Sequence, residues 1–596
     1  MALQFKARQF TSNRLSRWLL LLALTPALSH AKNLAFDQPA ATVHPQLTAH
    51  SRTMTQRVEK VTERVYKAIG YDIANSVMVV GDNGTVIVDV MGSMRTAEQV
   101  AAEFRKITDL PTKALVYTHH HGDHVNGGPA FLDVNSDAGE STRIFAHQEL
   151  LPNLAQQAGL LVPITASRAF FMYGNYLEKG AEGLVNAGIG PALVPGQSRF
   201  VPPTDLVGDS RREQIAGLNV EFVHVPSEAR DEIALWFPDL KVLHTGEVLQ
   251  GESFPNIYTI RGDTMRDPMT WVKAIDRLRQ YPAEVLVRSH GRAIVGKEKV
   301  AETLTAYRDA IQYVHDQTVR HINKGYTPDE LVTVVGQLPP HLATHPELQE
   351  FYGTVKHAVR AIYQQYLGWF TGDPATLDPL PPLARAQRYL AAMGGRDAVL
   401  RNATQALAEG DVRWVAEVAG YLITVDKTDQ QARQLKADAF KQLAYGQINV
   451  NWRNFYLTAA KELEGTAPRD LGMSALGVMQ AMPPATLLQQ LAVRIDADKA
   501  QQTQLQGQFV MDNGDRYGLE IRRGVVQFHP SAPNRTDFSL KLKRKELALL
   551  CSGTQSLSQL LATGSVTVSG DAKAAENFFA LFETPTPWHE IPVSVH

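Results

Sequence analysis

The sequence predicts an α/β sandwich, followed by an all-α region and a small α+β region. Three observations carry this. Paired apolar β-runs with an Asn-Gly turn give way to a helix and a further strand between Val58 and Thr118. From about residue 325 apolar residues recur at helical spacing. From about residue 475 short strand-like runs return, separated by Asn513-Gly514 and Arg523-Gly524. A chain of 596 residues exceeds what one core fills, so several domains are expected.

The elements follow in order. Residues 1–31 read as an export signal. Lys6, Arg8, Arg14 and Arg17 form a positive region, Trp18 to Leu24 a short apolar core, and Ser29-His30-Ala31 a small-x-small cleavage site. The mature chain, cut after Ala31, is expected to be periplasmic or secreted. Residues 32–55 read as irregular. Strands are expected at 61–65, 76–80 and 85–89, the last two joined through Gly81-Asp82-Asn83-Gly84. Residues 94–107 have helical spacing, and 113–118 form the next strand. Residues 150–200, rich in Gly, Ala and Pro, read as a long functional loop. Strands resume at 219–225, 232–237 and 241–244, then a helix at 268–279 and a strand at 284–287. Further on, 348–370 reads as one long amphipathic helix, and 383–393, 396–408, 412–425 and 430–462 continue the helical series. Strands at 509–511, 517–521, 524–528 and 536–542 and a helix at 573–582 close the chain. The expected domains are 32–324, 325–467 and 468–596.

Composition bounds the function. The hydrophobic fraction of 44% and charged fraction of 20% suit a soluble globular protein. A net charge of −2 with no basic concentration argues against nucleic acid. The single cysteine, Cys551, excludes an intrachain disulfide and any cysteine-based zinc site. No apolar run is long enough to span a bilayer.

The most informative segment is His119-His120-His121-Gly122-Asp123-His124, on the loop leaving the 113–118 strand. Imidazole and carboxylate are the ligands that suit zinc and similar divalent metals. His119 and His121 can aim at one metal, and the Asp123-His124 pair points to a second close by. His120 interrupts the alternation and is not counted as a ligand. Three later positions sit on strand-to-loop junctions: Glu228, Glu247 and His290. Each alone would read as a surface carboxylate or a capping histidine. Together, behind the first motif, they read as ligands.

The order of Asp89, His119-x-His121-x-Asp123-His124, the later junctions and Ser289-His290-Gly291 resembles the metallo-β-lactamase fold. Glutamates at 228 and 247 are similar to its alkylsulfatase branch. So are 256–262, 361–370 and Leu380-Pro381-Pro382. The resemblance covers about residues 55–590 and implies an αββα sandwich, a helical dimerisation domain and a sterol-carrier-like lipid-binding domain. It implies two zinc ions. One would be held by His119, His121 and Glu228, the other by Asp123, His124 and His290, with Glu247 bridging. Asn256 and Arg261 would bind sulfate oxygens, with Tyr173 in the same pocket. The alternative for Arg261 is a solvated loop arginine paired with Asp263 or Asp267. Glu247-Val248-Leu249-Gln250-Gly251 departs from the family pattern and leaves substrate preference open.

The charges agree with such a site. Asp123, Glu228 and Glu247 oppose three negative charges to the four positive charges of two divalent cations, so an anion is still attracted. Arg261 adds a planar fork suited to sulfate or phosphate. The expected activity is hydrolysis of alkyl, and also aryl, sulfate esters by a zinc-activated water in a homodimer. Another binuclear-zinc hydrolase (phosphodiesterase, β-lactamase or thioesterase) and a non-enzymatic surfactant carrier are the alternatives. The small partner would be an amphiphilic sulfate ester.

Overall fold

The computed structural model describes residues 42–132, 142–467, 476–531, 533 and 535–584. The expected export signal lies outside them. Two sheets form the first half. The first has β1 (Arg57–Lys60), β2 (Val65–Ile69), β3 (Ser76–Val80), β4 (Thr85–Val88), β5 (Thr112–Val116), β6 (Arg143–His147) and β7 (Asp205–Val207), in that order. It is antiparallel through β4 and parallel from β4 to β7. The second sheet runs β13-β12-β11-β10-β9-β8. Its strands are β8 (Ser210–Ile215), β9 (Leu218–His224), β10 (Ile233–Phe237), β11 (Val242–His244), β12 (Val285–Val287) and β13 (Ile294–Val295).

Val77, Val79, Val86 and Val88 from the first sheet and Phe222, Ile233 and Leu235 from the second share one buried cluster. β3, β4 and β10 are buried on both faces, because helices cover the outer sides. The helix Met94–Arg105 packs on one side through Val100 and Phe104. The helices Pro268–Leu278 and Lys297–Ile322 pack on the other through Trp271, Ile275 and Tyr307. This is the αββα sandwich that the sequence predicts.

Helices then run from Pro328–Val335 to Val450–Leu463. A second sheet region follows, β14 (Gln504–Met511), β15 (Arg516–Arg522), β16 (Val525–His529), β17 (Phe538–Leu542) and β18 (Thr567–Gly570), in the order β16-β15-β14-β17-β18. The helix Ala572–Ala580 packs Phe578 against Phe538. Val478, Leu487 and Phe509 share a cluster with Phe104, Leu150 and Leu154, so the C-terminal layer is built directly onto the sandwich.

Several expected elements are corrected. The segment 32–55, read as irregular, contains the helix Pro45–Thr53, where His50 stacks on Phe351 at 3.9 Å. The strand expected at 61–65 is the turn between β1 and β2. The supposed loop 150–200 begins with two helices, Leu150–Gly159 and Val162–Tyr173, which bury Leu154, Phe170 and Met172. The single helix expected over 348–370 is only Val355–Leu367. Before it, Asn449 and Asn451 donate to the carbonyls of Glu350 and Tyr352, so this backbone is satisfied by neighbours instead of by a helix. The helix expected over 430–462 divides into Gln430–Tyr445 and Val450–Leu463, because Asn449 caps the second through Trp452 N. The long helix Lys297–Ile322 was not among the expected elements.

Candidate metal centre and active site

Five strand ends supply the site. Asp89 follows β4, the His119–His124 turn follows β5, Glu228 follows β9, Glu247 follows β11 and His290 follows β12. The donor atoms of His119, His121, Glu228 and Glu247 lie within 4.8 Å of one another, and so do those of Asp123, His124, Glu247 and His290. All seven ligand positions read from the sequence therefore converge, and Glu247 belongs to both groups. The turn into Glu247 needs glycine, because Gly246 has φ +56° and a side chain there would collide with Glu232.

Each ring is aimed by its other nitrogen. His119 Nδ1 is 3.0 Å from Thr118 Oγ1, His124 Nδ1 is 2.9 Å from Asp89 Oδ2, and His290 Nδ1 donates to the Ile73 carbonyl at 2.8 Å. His121 is reversed, with Nε2 3.1 Å from Asp263 Oδ2 and Nδ1 turned inward, 2.9 Å from His119 Nε2. Tying one ring nitrogen to a carboxylate or carbonyl is how proteins fix the tautomer of a metal ligand.

The inward atoms suit cations. His124 Nε2 and His290 Nε2 are buried and make no hydrogen bond. His124 Nε2 faces Asp123 Oδ2 at 3.2 Å and Glu247 Oε1 at 3.4 Å, and His290 touches Glu247. Burial, with His124 and His121 close by, pushes His119 down to about 3, so the ring is neutral as a ligand must be. Burial acts the same way on His121, but Glu228 and Asp263 outweigh it and raise the ring to about 9. The field that favours a proton on that ring equally favours a cation. Glu247 is held well below the carboxylate range because the histidines around it outweigh burial. These residues fit a bound metal ion.

The donors open into a cavity of about 240 Å³. Its lining includes His121, Asp123, Glu228, Glu247, Tyr173 and Arg261 together with the apolar Phe170, Ile189, Leu193, Val194 and Val478. Arg261 lines the cavity and is also paired with Asp263 at 2.8 Å, a partner that its alternative reading named. Tyr173 Oη is 2.9 Å from Tyr352 Oη, and burial pushes its phenol up to about 12. Asn256 is buried at 2% exposure and does not line the cavity; its Nδ2 has no hydrogen-bond partner. His120 stands apart from both groups of four, bonded to Asp231 at 2.6 Å.

Three residues of the site, Arg266, Tyr352 and Glu232, escaped the sequence reading, and Asp263 entered it only as an alternative partner of Arg261. Arg266 is buried against Glu228, Asp263 bridges His121 and Arg261, and Tyr352 meets Tyr173. Glu232 accepts from Glu247 N at 2.8 Å, and burial beside Glu247 and Glu228 raises its carboxyl well above the usual range. None sits in a recognisable spacing; Tyr352 lay within a segment read as helix.

The metallo-beta-lactamase superfamily matches residues 69–290, alkyl sulfatase dimerisation matches 327–466, and alkyl sulfatase C-terminal matches 473–592. A linear primary-alkylsulfatase from Pseudomonas sp. is 44% identical over 518 residues, 85% of this chain and 98% of that protein. The chain belongs to the alkylsulfatase family. An (R)-specific secondary-alkylsulfatase from Pseudomonas sp. is 30% identical over 92% of this chain and 85% of its own. The solved structure of the stereoselective inverting sec-alkylsulfatase Pisa1 from Pseudomonas sp. superposes with a TM-score of 0.86 at 30% identity, covering 93% of this chain and 89% of that one. That likeness extends to the helical and C-terminal layers, beyond the sandwich alone.

Proposed function

We propose that this protein hydrolyses alkyl sulfate esters, and aryl esters with them, to an alcohol and inorganic sulfate at a pair of zinc ions. The observation that carries the reading is the junction of two buried donor groups, sharing Glu247, with a cavity lined both by Arg261 and by apolar side chains. His119, His121 and Glu228 would hold one ion, Asp123, His124 and His290 the other, and Glu247 would bridge. Bound zinc supplies Lewis acidity and a water of lowered pKa.

The rest falls to the chain itself. The Arg261 fork binds the sulfate oxygens, with Asp263 holding its orientation. Tyr173 keeps its proton and donates to the same head group, steadied by Tyr352. Phe170, Leu193 and Val478 take the alkyl chain and exclude water from the reacting end. Val478 lies in the part matched to the C-terminal family, which gives that layer a share in chain recognition.

The proposal includes a homodimer, supported by the dimerisation match and by Tyr366 and Trp369, exposed at 53% and 67%. No helix among the described residues is long and apolar enough to cross a membrane. Export after cleavage at Ala31, and the domain division at 324 and 467, are proposed on the sequence alone.

The test is sulfate release from dodecyl sulfate, a secondary alkyl sulfate and nitrophenyl sulfate, before chelation, after it, and after zinc is restored. Release that disappears and returns with zinc is expected. Cleavage of a phosphodiester or β-lactam without sulfate release would assign another hydrolysis. Amphiphile binding that survives chelation, with no release, would assign a carrier.

A further inference from the structure

A second cavity of about 220 Å³ adjoins the first. The two share Gln157, Thr165 and Arg261 as a common wall. The second is lined beyond that wall by Arg168, on the helix Val162–Tyr173, and by Arg230, on the turn after Glu228. Among the described residues neither arginine has a carboxylate within ion-pair distance. The acid on this cavity wall, Asp263, is already engaged by Arg261 at 2.8 Å and faces Arg266 at 3.6 Å. His120, also on the wall, is bonded to Asp231. Leu160, Leu161 and Ile164 supply an apolar part of the lining, so the unpaired charges in this cavity are the two guanidiniums. The volume far exceeds the roughly 10–15 Å³ that one water needs.

Its position matters to the reaction just proposed, on which this inference rests. That reaction yields two products of opposite character. On that reading the alcohol lies against the apolar side chains of the first cavity, Phe170, Leu193 and Val478. The sulfate rests against Arg261, which faces both cavities. Unpaired guanidinium forks beyond Arg261 suit a tetrahedral oxyanion. We infer that the second cavity is an oxyanion site through which inorganic sulfate leaves, independently of the alcohol.

Selenate, a sulfate analogue visible by its anomalous scattering, tests the site in crystals of the zinc-loaded protein. Two selenate positions per chain are expected, one at Arg261 and one between Arg168 and Arg230. R168Q/R230Q should lose only the second. In solution that variant should keep the single-turnover rate while its multiple-turnover rate falls several-fold, because release is slowed and the chemical step is untouched. R168Q alone should give a smaller change in the same direction. Absence of the second selenate, its survival in R168Q/R230Q (an adventitious ion only), or an unchanged multiple-turnover rate would each overturn the inference. If the protein releases no sulfate from any ester, the proposed function fails, while the selenate positions still decide the cavity.

Discussion

Asp89→Asn tests whether one buried carboxylate sets the tautomer on which half of the metal centre depends. Asp89 is fully buried, with a left-handed φ of 60°. Its Oδ1 accepts from the backbone N–H and the hydroxyl of Thr118, at 3.0 Å each. Its Oδ2 accepts from His124 Nδ1 at 2.9 Å and from the Ser289 hydroxyl at 2.6 Å. The Thr118 N–H cannot turn away, so in the variant the amide oxygen must take the Oδ1 place and the NH2 group the Oδ2 place. That NH2 faces His124 Nδ1, which must now accept. The ring proton moves to Nε2, the atom turned toward Asp123 and Glu247. A ligating nitrogen must be bare, so a cation binds only after this new hydrogen bond is given up, at about 1–3 kcal/mol. Affinity should therefore fall roughly 10–100-fold for one cation, the loss usual when the partner of a ligating histidine is changed, and stay near wild type for the other. Zinc counted per chain during titration with a chromogenic chelator reads both affinities, and thermal unfolding confirms the fold. Ser289→Ala removes a hydroxyl without touching the ring and should leave both affinities near wild type. If folded Asp89→Asn binds two zinc ions as tightly as the parent, the tautomer argument is wrong.

Three further outcomes follow from the same structure. Arg261→Ala should keep its zinc and lose about 10–150-fold in kcat/KM on alkyl sulfates, the worth of a charged hydrogen-bonding fork; full activity would remove Arg261 from the site. Lys67 is fully buried with no hydrogen bond at Nζ, and burial, with Arg288, lowers it to about 7. Because the unfolded chain binds this proton up to about 10.5, wild-type stability should rise between pH 7 and 10. Lys67→Met should abolish that rise and add about 1–4 kcal/mol at pH 7 in urea unfolding; a destabilised variant would show that the amine is satisfied. Burial raises the Glu252 carboxyl, but Arg288 and Arg292 outweigh it and hold it at about 2, against 4.5 ordinarily. Its contribution, about 3 kcal/mol, is present above pH 4.5 and lost as pH falls toward 2, so Glu252→Gln should flatten that part of the acid-unfolding curve.

The sandwich was legible because its strands are short apolar runs cut by turn residues, and β3, β4, β10 and β11 fall within a residue or two of the runs themselves. The convergent donors were legible for the same reason: His119, His121, Asp123 and His124 share one turn, and Glu228, Glu247 and His290 each follow an apolar run. Elements whose stability comes from distant partners were not. The helix Val162–Tyr173 shows weak amphipathicity because it is buried on several sides, by Phe455 among others. The extended piece before Val355–Leu367 has a helical pattern, yet asparagines about 95–100 residues away claim its carbonyls.

Local chemistry in the chain thus supplied the candidate donor atoms, since donor type and strand-end placement are properties of short segments. It could not settle how those donors are charged or aimed. Arg266 against Glu228, Asp263 against His121, and Tyr352 against Tyr173 are meetings across 38, 142 and 179 residues, and they exist only once folding has excluded water. In that dry interior a single misplaced proton outweighs the small energy of any local preference. The fold, by choosing the neighbours, therefore decides the tautomers and the charge of the site.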